Sequence, residues 1–312
     1  MEYRQMGKSG VRVSVIGLGT NRFGYQQMPQ EEVTRTMDAA LDMGINFLDS
    51  ADVYQGGRSE ETIGSALRGR RDRFVIATKY MGKTGDGPND RGASRYHLHH
   101  ALEASLRRLQ TDHIDLYYVH NWDETTPMEE MLRGLDDVVR AGKVRYIGAS
   151  NFMAWQLARA NLLAEVRGWS PFVVIQSHYH MMERGVEKEL IPFCRSQGVG
   201  LVPYFPLAGG FLTGKYRRGQ PAPAGSRGES NPYVQKYMND ANFTVIERLE
   251  EWAKQRGHGL NELAQAWLLA RPEVCSVITG ATHLEQVQQN VKAADWKLSA
   301  EEFEEINRVL EG

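Results

Sequence analysis

The chain is 312 residues long, enough for one large barrel or two ordinary domains, with 41% hydrophobic and 24% charged residues. That balance is ordinary for a globular enzyme. With 37 basic and 39 acidic residues the formal charge is -2, which excludes the one-signed surfaces that bind nucleic acid or membranes.

The opening MEYRQMGKSGVRVSVIG fits a short hairpin with glycine at its turn, placed to plug the bottom of a barrel. The segment MEYRQMGKSG is charged where a signal peptide needs an apolar core, and no stretch is long and apolar enough to span a bilayer. Cytoplasm is therefore the expected location. Eight strand-like runs follow: VSVIGLG, INFLDSA, FVIATK, IDLYYVH, VRYIGAS, VVIQSHY, GLVPYFP and SVITGA. They are apolar nearly throughout, as strands covered on both faces are. Amphipathic helices alternate with them. Val33, Met37, Ala40 and Leu41 share one helical face, and Leu98, Ala101, Leu102 and Leu109 another. Ser94 is placed to cap the latter helix, and Ser299 with Glu302 forms a capping box before the last one. Gly44, Gly142, Gly198 and Gly257 stand where helices should stop. Eight alternations favour an α/β fold of the (β/α)8 TIM-barrel type with an N-terminal β-hairpin, a single domain over residues 1–312. Two segments rich in Gly, Pro and charge, 81–95 and 214–237, follow the third and seventh strands, where barrel enzymes carry binding loops.

Several motifs carry no chemistry on this reading. GLGTNRFG lacks dinucleotide-fingerprint spacing because position 22 is Arg. Tyr80 and Lys83 are three apart, not the four of a Tyr-x-x-x-Lys pair. His178 and His180 are two ligand-type residues without a third, so no metal is expected, and a metal-dependent barrel hydrolase is a minor alternative. His97, His99 and His100 are expected on a solvent-facing helix surface. Cys194 and Cys275 lie in apolar runs and read as isolated buried thiols in a reducing compartment.

Proton-moving residues gather at strand ends. Asp49 and Tyr54 follow the second strand, Lys79 ends the third and His120 the fourth. Taken singly, Asp49 caps a turn and Tyr54 is an interface aromatic. Lys79 alters that balance, because a lysine ending a buried strand is costly unless paired, and Asp49 is the natural partner. An ammonium beside a phenol lowers the phenol's pKa toward the range useful for acid catalysis. His120 is then placed to polarise a carbonyl.

These strings resemble the aldo-keto reductases from end to end. DSADVY carries an Asp and a Tyr five apart, ATK a Lys and LYYVHNWD a His, while GASN, IQSHY, PYFPLAGGFLTGKY and VITGATHLEQVQQN are similar to cofactor segments in the expected order. The loop after the seventh strand resembles the branch of bacterial sugar and aldehyde reductases and potassium-channel β subunits. The resemblance implies catalytic roles for Tyr54 as proton donor, Lys79 and Asp49 as its tuners, and His120 as carbonyl orienter. It implies that Ser150, Asn151 and Gln176 hold the nicotinamide carboxamide, with Tyr204 stacked beneath the ring and Gly19 and Thr20 at the ribose. Leu207, Gly209 and Gly210 would approach the pyrophosphate, and Lys215 and Arg227 would neutralise phosphates. Gly280, Thr282, Gln286 and Asn290 would bind the adenosine end. The cofactor expected is NADPH, with NADH less favoured, although Gln286 stands where another branch has an Arg that clamps the 2′-phosphate. Thr279, His283 and the bulky Phe205 also depart from the pattern. Phe23, Tyr25, Tyr80, Asn121 and Trp122 are expected to line the substrate pocket. The expected function is reduction of an aldehyde, ketone or sugar carbonyl. A nicotinamide-binding regulatory subunit is an alternative, and a homo-oligomer fits either.

Overall fold

The computed structural model describes residues 1–26 and 28–312. Two short strands, β1 (Tyr3–Gln5) and β2 (Arg12–Ser14), pair antiparallel as a hairpin. Eight parallel strands then close a barrel: β3 (Ile16–Gly19), β4 (Phe47–Asp49), β5 (Val75–Tyr80), β6 (Ile114–Val119), β7 (Val144–Ser150), β8 (Phe172–His178), β9 (Gly200–Tyr204) and β10 (Val277–Gly280). Their order is sequential and β10 pairs with β3, so no edge is left open. The run VSVIGLG, expected as one strand, is divided. Val15 donates its N–H back to Glu2 at 3.0 Å, so Val13 and Ser14 belong to the hairpin and the barrel strand begins at Ile16.

Apolar side chains fill two layers. One, between strands and helices, takes the inward stripe of each helix, as in Gln30–Asp42, which buries Val33, Met37 and Ala40. The other lies inside the barrel and includes Met6, Val13, Phe47, Ala77, Leu116, Val174 and Val202. Met6 and Val13 come from the hairpin, which therefore closes the barrel floor. A Cβ on Gly7 would come within 2.4 Å of the Val173 carbonyl oxygen, so only glycine lets the hairpin turn seat there.

The capping signals hold. Ser94 Oγ accepts the His97 N–H at 3.2 Å, and Ser299 and Glu302 cap the last helix reciprocally. Gly44, Gly142, Gly198 and Gly257 all take positive φ at helix ends. The expected solvent face of the His97 helix is a correction. His97 is buried, because Arg95–Leu109 turns His97, Ala101 and Ser105 inward beside Leu98, Leu102 and Leu109. His99 is half-buried and His100 exposed.

Candidate active site

Strand side chains alternate between the two faces of the barrel wall. Phe47, Ala77, Leu116 and Val174 point into the barrel core. Two residues on, Asp49, Lys79, Tyr118 and Gln176 point inward one step nearer the open rim, where parallel pairing sets Asp49 beside Ala77 and Lys79 beside Tyr118. An apolar layer is thus topped by a polar one.

Lys79 is fully buried, and its three ammonium protons have three acceptors. Nζ lies 2.7 Å from Asp49 Oδ2, 2.7 Å from the Ser50 carbonyl oxygen and 3.3 Å from the Tyr54 hydroxyl. Gln176 Nε2 donates to the other Asp49 oxygen at 2.7 Å. His120 meets Tyr54 edge to face with ring centres 6.0 Å apart. The phenol, ammonium, carboxylate and imidazole anticipated at separate strand ends therefore form one connected group. Lys79 lies beneath the floor of the cleft, whereas Asp49, Tyr54 and His120 open into it.

The charge states differ from expectation at one point. Burial raises the Tyr54 pKa above its usual value and outweighs the nearby Lys79, which pulls it down. Tyr54 thus keeps its proton at neutral pH. Burial alone would discharge Lys79, but Asp49 and Tyr54 leave its pKa raised, so it stays an ammonium. Burial, helped by Lys79, pushes His120 down to about 3, so it is a neutral imidazole.

These groups face a cleft of about 1250 Å³ that runs from His120 to the β10 loop. Gly19, Thr20, Ser150, Asn151, Gln176 and Tyr204 line it near Tyr54. Leu207, Gly209, Gly210, Lys215, Arg227, Gly280, Thr282, Gln286 and Asn290 line it as well. Tyr204 donates to Asn151 Oδ1 at 2.9 Å, and Asn151 Nδ2 donates to the His120 carbonyl at 3.1 Å. The amide group of Asn151 is thereby locked between two strand ends. Gln55, Asn151, Phe205 and Ala208 all have positive φ just past strands β4, β7 and β9. Such strain in non-glycine residues gathers at functional rims.

The cleft suits an extended anionic dinucleotide. A Cβ on Gly210 would meet Lys215 Nζ at 2.8 Å and one on Gly209 would meet Phe205 Cζ at 2.7 Å, so side chains there would fill the passage. Arg227 rests on the Phe205 ring at 5.7 Å and Lys215 on Tyr216 at 5.2 Å, each charge free of a carboxylate partner among the described residues. The Thr282 N–H is taken by Gln286 Oε1 at 2.8 Å.

Of the residues expected to line the substrate pocket, Phe23 and Tyr80 do not reach the cleft. Phe23 and Tyr80 are fully buried. Tyr80 alternates with Lys79 and so points outward, stacking on Tyr117 at 5.1 Å. Trp122, half-buried, packs on Phe152 at 5.2 Å and Trp155 at 6.1 Å. Tyr25 and Asn121 do line it, joined by Asn21 and Arg22. Those two were legible only as residues following a strand-end GLGT turn.

Asp52 was not singled out, yet it lies on the turn that carries Tyr54. Its N–H donates to the Lys79 carbonyl at 3.1 Å, and its buried carboxyl oxygens have no hydrogen-bond partner among the described residues. Burial, then the Glu60 charge, pushes it up to about 7, against the pull of Arg108. The folded protein therefore holds a proton that the unfolded chain releases, and Asp52 lowers stability as pH rises from about 4 to about 7. Asp52→Asn should gain on the parent over that window by on the order of 4 kcal/mol. Urea unfolding at a series of pH values checks this; a pH-independent difference contradicts it.

His178 and His180 face each other with Nε2 atoms 3.0 Å apart. Tyr233 bonds His178 at 2.9 Å and Tyr237 bonds His180 at 3.3 Å, which ties the 214–237 loop to the end of β8. Among the described residues no group of three or more His, Cys, Asp or Glu side chains is placed to hold a metal, and no helix is long and apolar enough to cross a membrane.

Comparison with known proteins agrees with this geometry. The family model described as the aldo/keto reductase family matches residues 15–311. An oxidoreductase of Bacillus subtilis (strain 168), YrpG, is 38% identical across 100% of this chain and 97% of its own length. A probable voltage-gated potassium channel subunit beta of Oryza sativa subsp. japonica is 38% identical over 95% of this chain and 92% of its own. Versiconal hemiacetal acetate reductase of Aspergillus parasiticus is 33% identical over 97% and 95% respectively. With its eight-stranded barrel and the match running nearly end to end, the chain belongs to the aldo/keto reductase family, a nicotinamide-dependent oxidoreductase acting on carbonyl groups.

Proposed function

We propose that this protein is an NADPH-dependent reductase in which Tyr54 protonates the carbonyl oxygen of an aldehyde, ketone or sugar. The observation that carries this reading is the Lys79 ammonium, 2.7 Å from Asp49 and 3.3 Å from the Tyr54 hydroxyl beneath an open cleft. A bound reduced nicotinamide supplies the hydride. The protein's part is to hold the carbonyl and deliver one proton. Neutral His120 donates a hydrogen bond to the carbonyl oxygen and draws charge onto it. Tyr54 gives that oxygen its phenolic proton as negative charge develops, and the Lys79 ammonium stabilises the resulting phenolate. Asp49 and Gln176 hold Lys79 charged and aimed.

Ser150, Asn151 and Gln176 suit a carboxamide because their side chains are neutral donors and acceptors. Tyr204 offers a flat face, itself stacked on His178 at 5.4 Å, and burial keeps its hydroxyl protonated with a pKa pushed up to about 12. Lys215 and Arg227 are cleft-lining cations without a carboxylate partner among the described residues, which suits phosphate. Arg227→Ala should therefore raise the dissociation constant for NADPH by about tenfold and that for NADH much less, since a lost charged hydrogen bond is worth about 1.5–3 kcal/mol. Fluorescence titration with both cofactors checks this. Equal losses would remove Arg227 from 2′-phosphate recognition.

A nicotinamide-binding regulatory subunit is the second reading, favoured by the 38% identity with the rice protein named as a potassium channel subunit beta. Negligible turnover on a carbonyl panel, with stable co-purification of a membrane protein, would select it.

A further inference from the structure

The cleft mouth above Tyr54 and His120 is rich in unused hydrogen-bond donors. Gln55 Nε2 donates to the Asn21 carbonyl oxygen at 2.8 Å and so fastens Asn21 to the turn that carries Tyr54. The Asn21 side chain is exposed in the cleft and has no hydrogen-bond partner among the described residues. On the opposite flank, Asn121 follows His120 directly. Its Oδ1 accepts from Asn151 Nδ2 at 3.1 Å, the same amide that holds the His120 carbonyl. That bond fixes the Asn121 amide and leaves its NH₂ group an oriented donor without a partner among the described residues. Phe23 and Tyr80, which would have made an apolar wall, are fully buried.

An alkyl carbonyl entering such a mouth would strip water from both amides and replace none of those hydrogen bonds. A substrate with hydroxyl groups flanking its carbonyl replaces them. A site built to bind hydroxyls rejects the analogue lacking them far more strongly than an apolar pocket discriminates by size. Arg22 lies on the same loop but belongs with the basic stretch of the cleft, where burial, and then the Arg22 charge, lower the Arg227 pKa.

We propose that Asn21 and Asn121 select hydroxylated carbonyl compounds, small hydroxyaldehydes and sugars in open-chain form, over alkyl carbonyls of equal length. This rests on the proposed reading of Tyr54 and His120 as the reducing site. Only specificity is added: the hydride, the proton and the bonds changed are those of ordinary carbonyl reduction.

The test compares kcat/KM for glyceraldehyde and propanal at saturating cofactor, in the parent protein and in Asn21→Leu and Asn121→Leu. The parent should prefer glyceraldehyde by about tenfold or more, and each variant should shrink that ratio by about tenfold, mostly through KM. Asn21 makes no side-chain hydrogen bond among the described residues, so its variant reads specificity even if Asn121→Leu folds poorly. A parent that prefers propanal, or a ratio unmoved in Asn21→Leu, overturns the proposal. Turnover of propanal that Tyr54→Phe lowers by about 10²-fold or more would then leave the reducing site standing while the hydroxyl selection falls. No turnover of either aldehyde overturns both.

Discussion

Tyr54→Phe is expected to lower turnover by about 10²–10⁴-fold, the usual worth of a positioned general acid, while the cofactor dissociation constant stays essentially unchanged. The substitution removes one oxygen and its proton from a ring whose edge-to-face position on His120 does not depend on the hydroxyl. His120 would still hold the carbonyl, so some residual rate should persist. The pH dependence follows from the same site. The Tyr54 pKa is raised by burial and that of His120 is pushed down to about 3. Neither group changes state between about pH 5 and about pH 9, and neither should place an inflection in kcat/KM there. Steady-state rates over that range, with parent and variant side by side, check both points. A variant retaining most of its turnover, or an inflection that vanishes in His120→Gln, would contradict the assignment.

Lys79→Met should be the most damaging single change to stability at the site. Lys79 and Asp49 are both buried, with side-chain exposures of 0% and 4%. Removing the ammonium leaves Asp49 buried with the Gln176 amide as its remaining side-chain donor among the described residues. Breaking a buried pair by removing one partner typically costs about 3–5 kcal/mol, because the surviving charge is uncompensated. The double substitution Lys79→Met with Asp49→Leu removes that charge and should recover part of the loss, though not the activity. Urea unfolding of the parent, the single variant and the double variant is the measurement. If the single variant is as stable as the parent, the pair does not carry the weight assigned to it.

How far each feature was legible depends on its physical range. Strand and helix periods are local, so eight barrel strands, the Ser94 and Ser299 caps and four helix-stopping glycines could be read directly. The division of VSVIGLG could not, because it is made by the N–H of Val15 returning to Glu2 across the hairpin. The site residues were legible as strand-end polar groups, and burial cost alone pointed to an Asp49–Lys79 pair. The burial of Phe23 and Tyr80 could not be read from nearness to strand ends. Which side of the barrel wall a residue faces depends on alternation and on what its neighbours pack against. Tyr80 sits next to Lys79 and points the opposite way, while Trp122 packs on Phe152 and Trp155.

The amino-acid sequence by itself determined the alternation of elements, the pairing of a buried lysine with an aspartate, and the set of polar groups at the strand ends. Those follow from short-range pattern and from the cost of burying charge. Only the tertiary structure decided the charge states and the character of the mouth. The Tyr54 proton is held because burial outweighs the nearby ammonium, and burial is a property of the whole packed rim. Asn21 and Asn121, far apart in the chain, line one cleft with Tyr54 and His120 because the barrel closes.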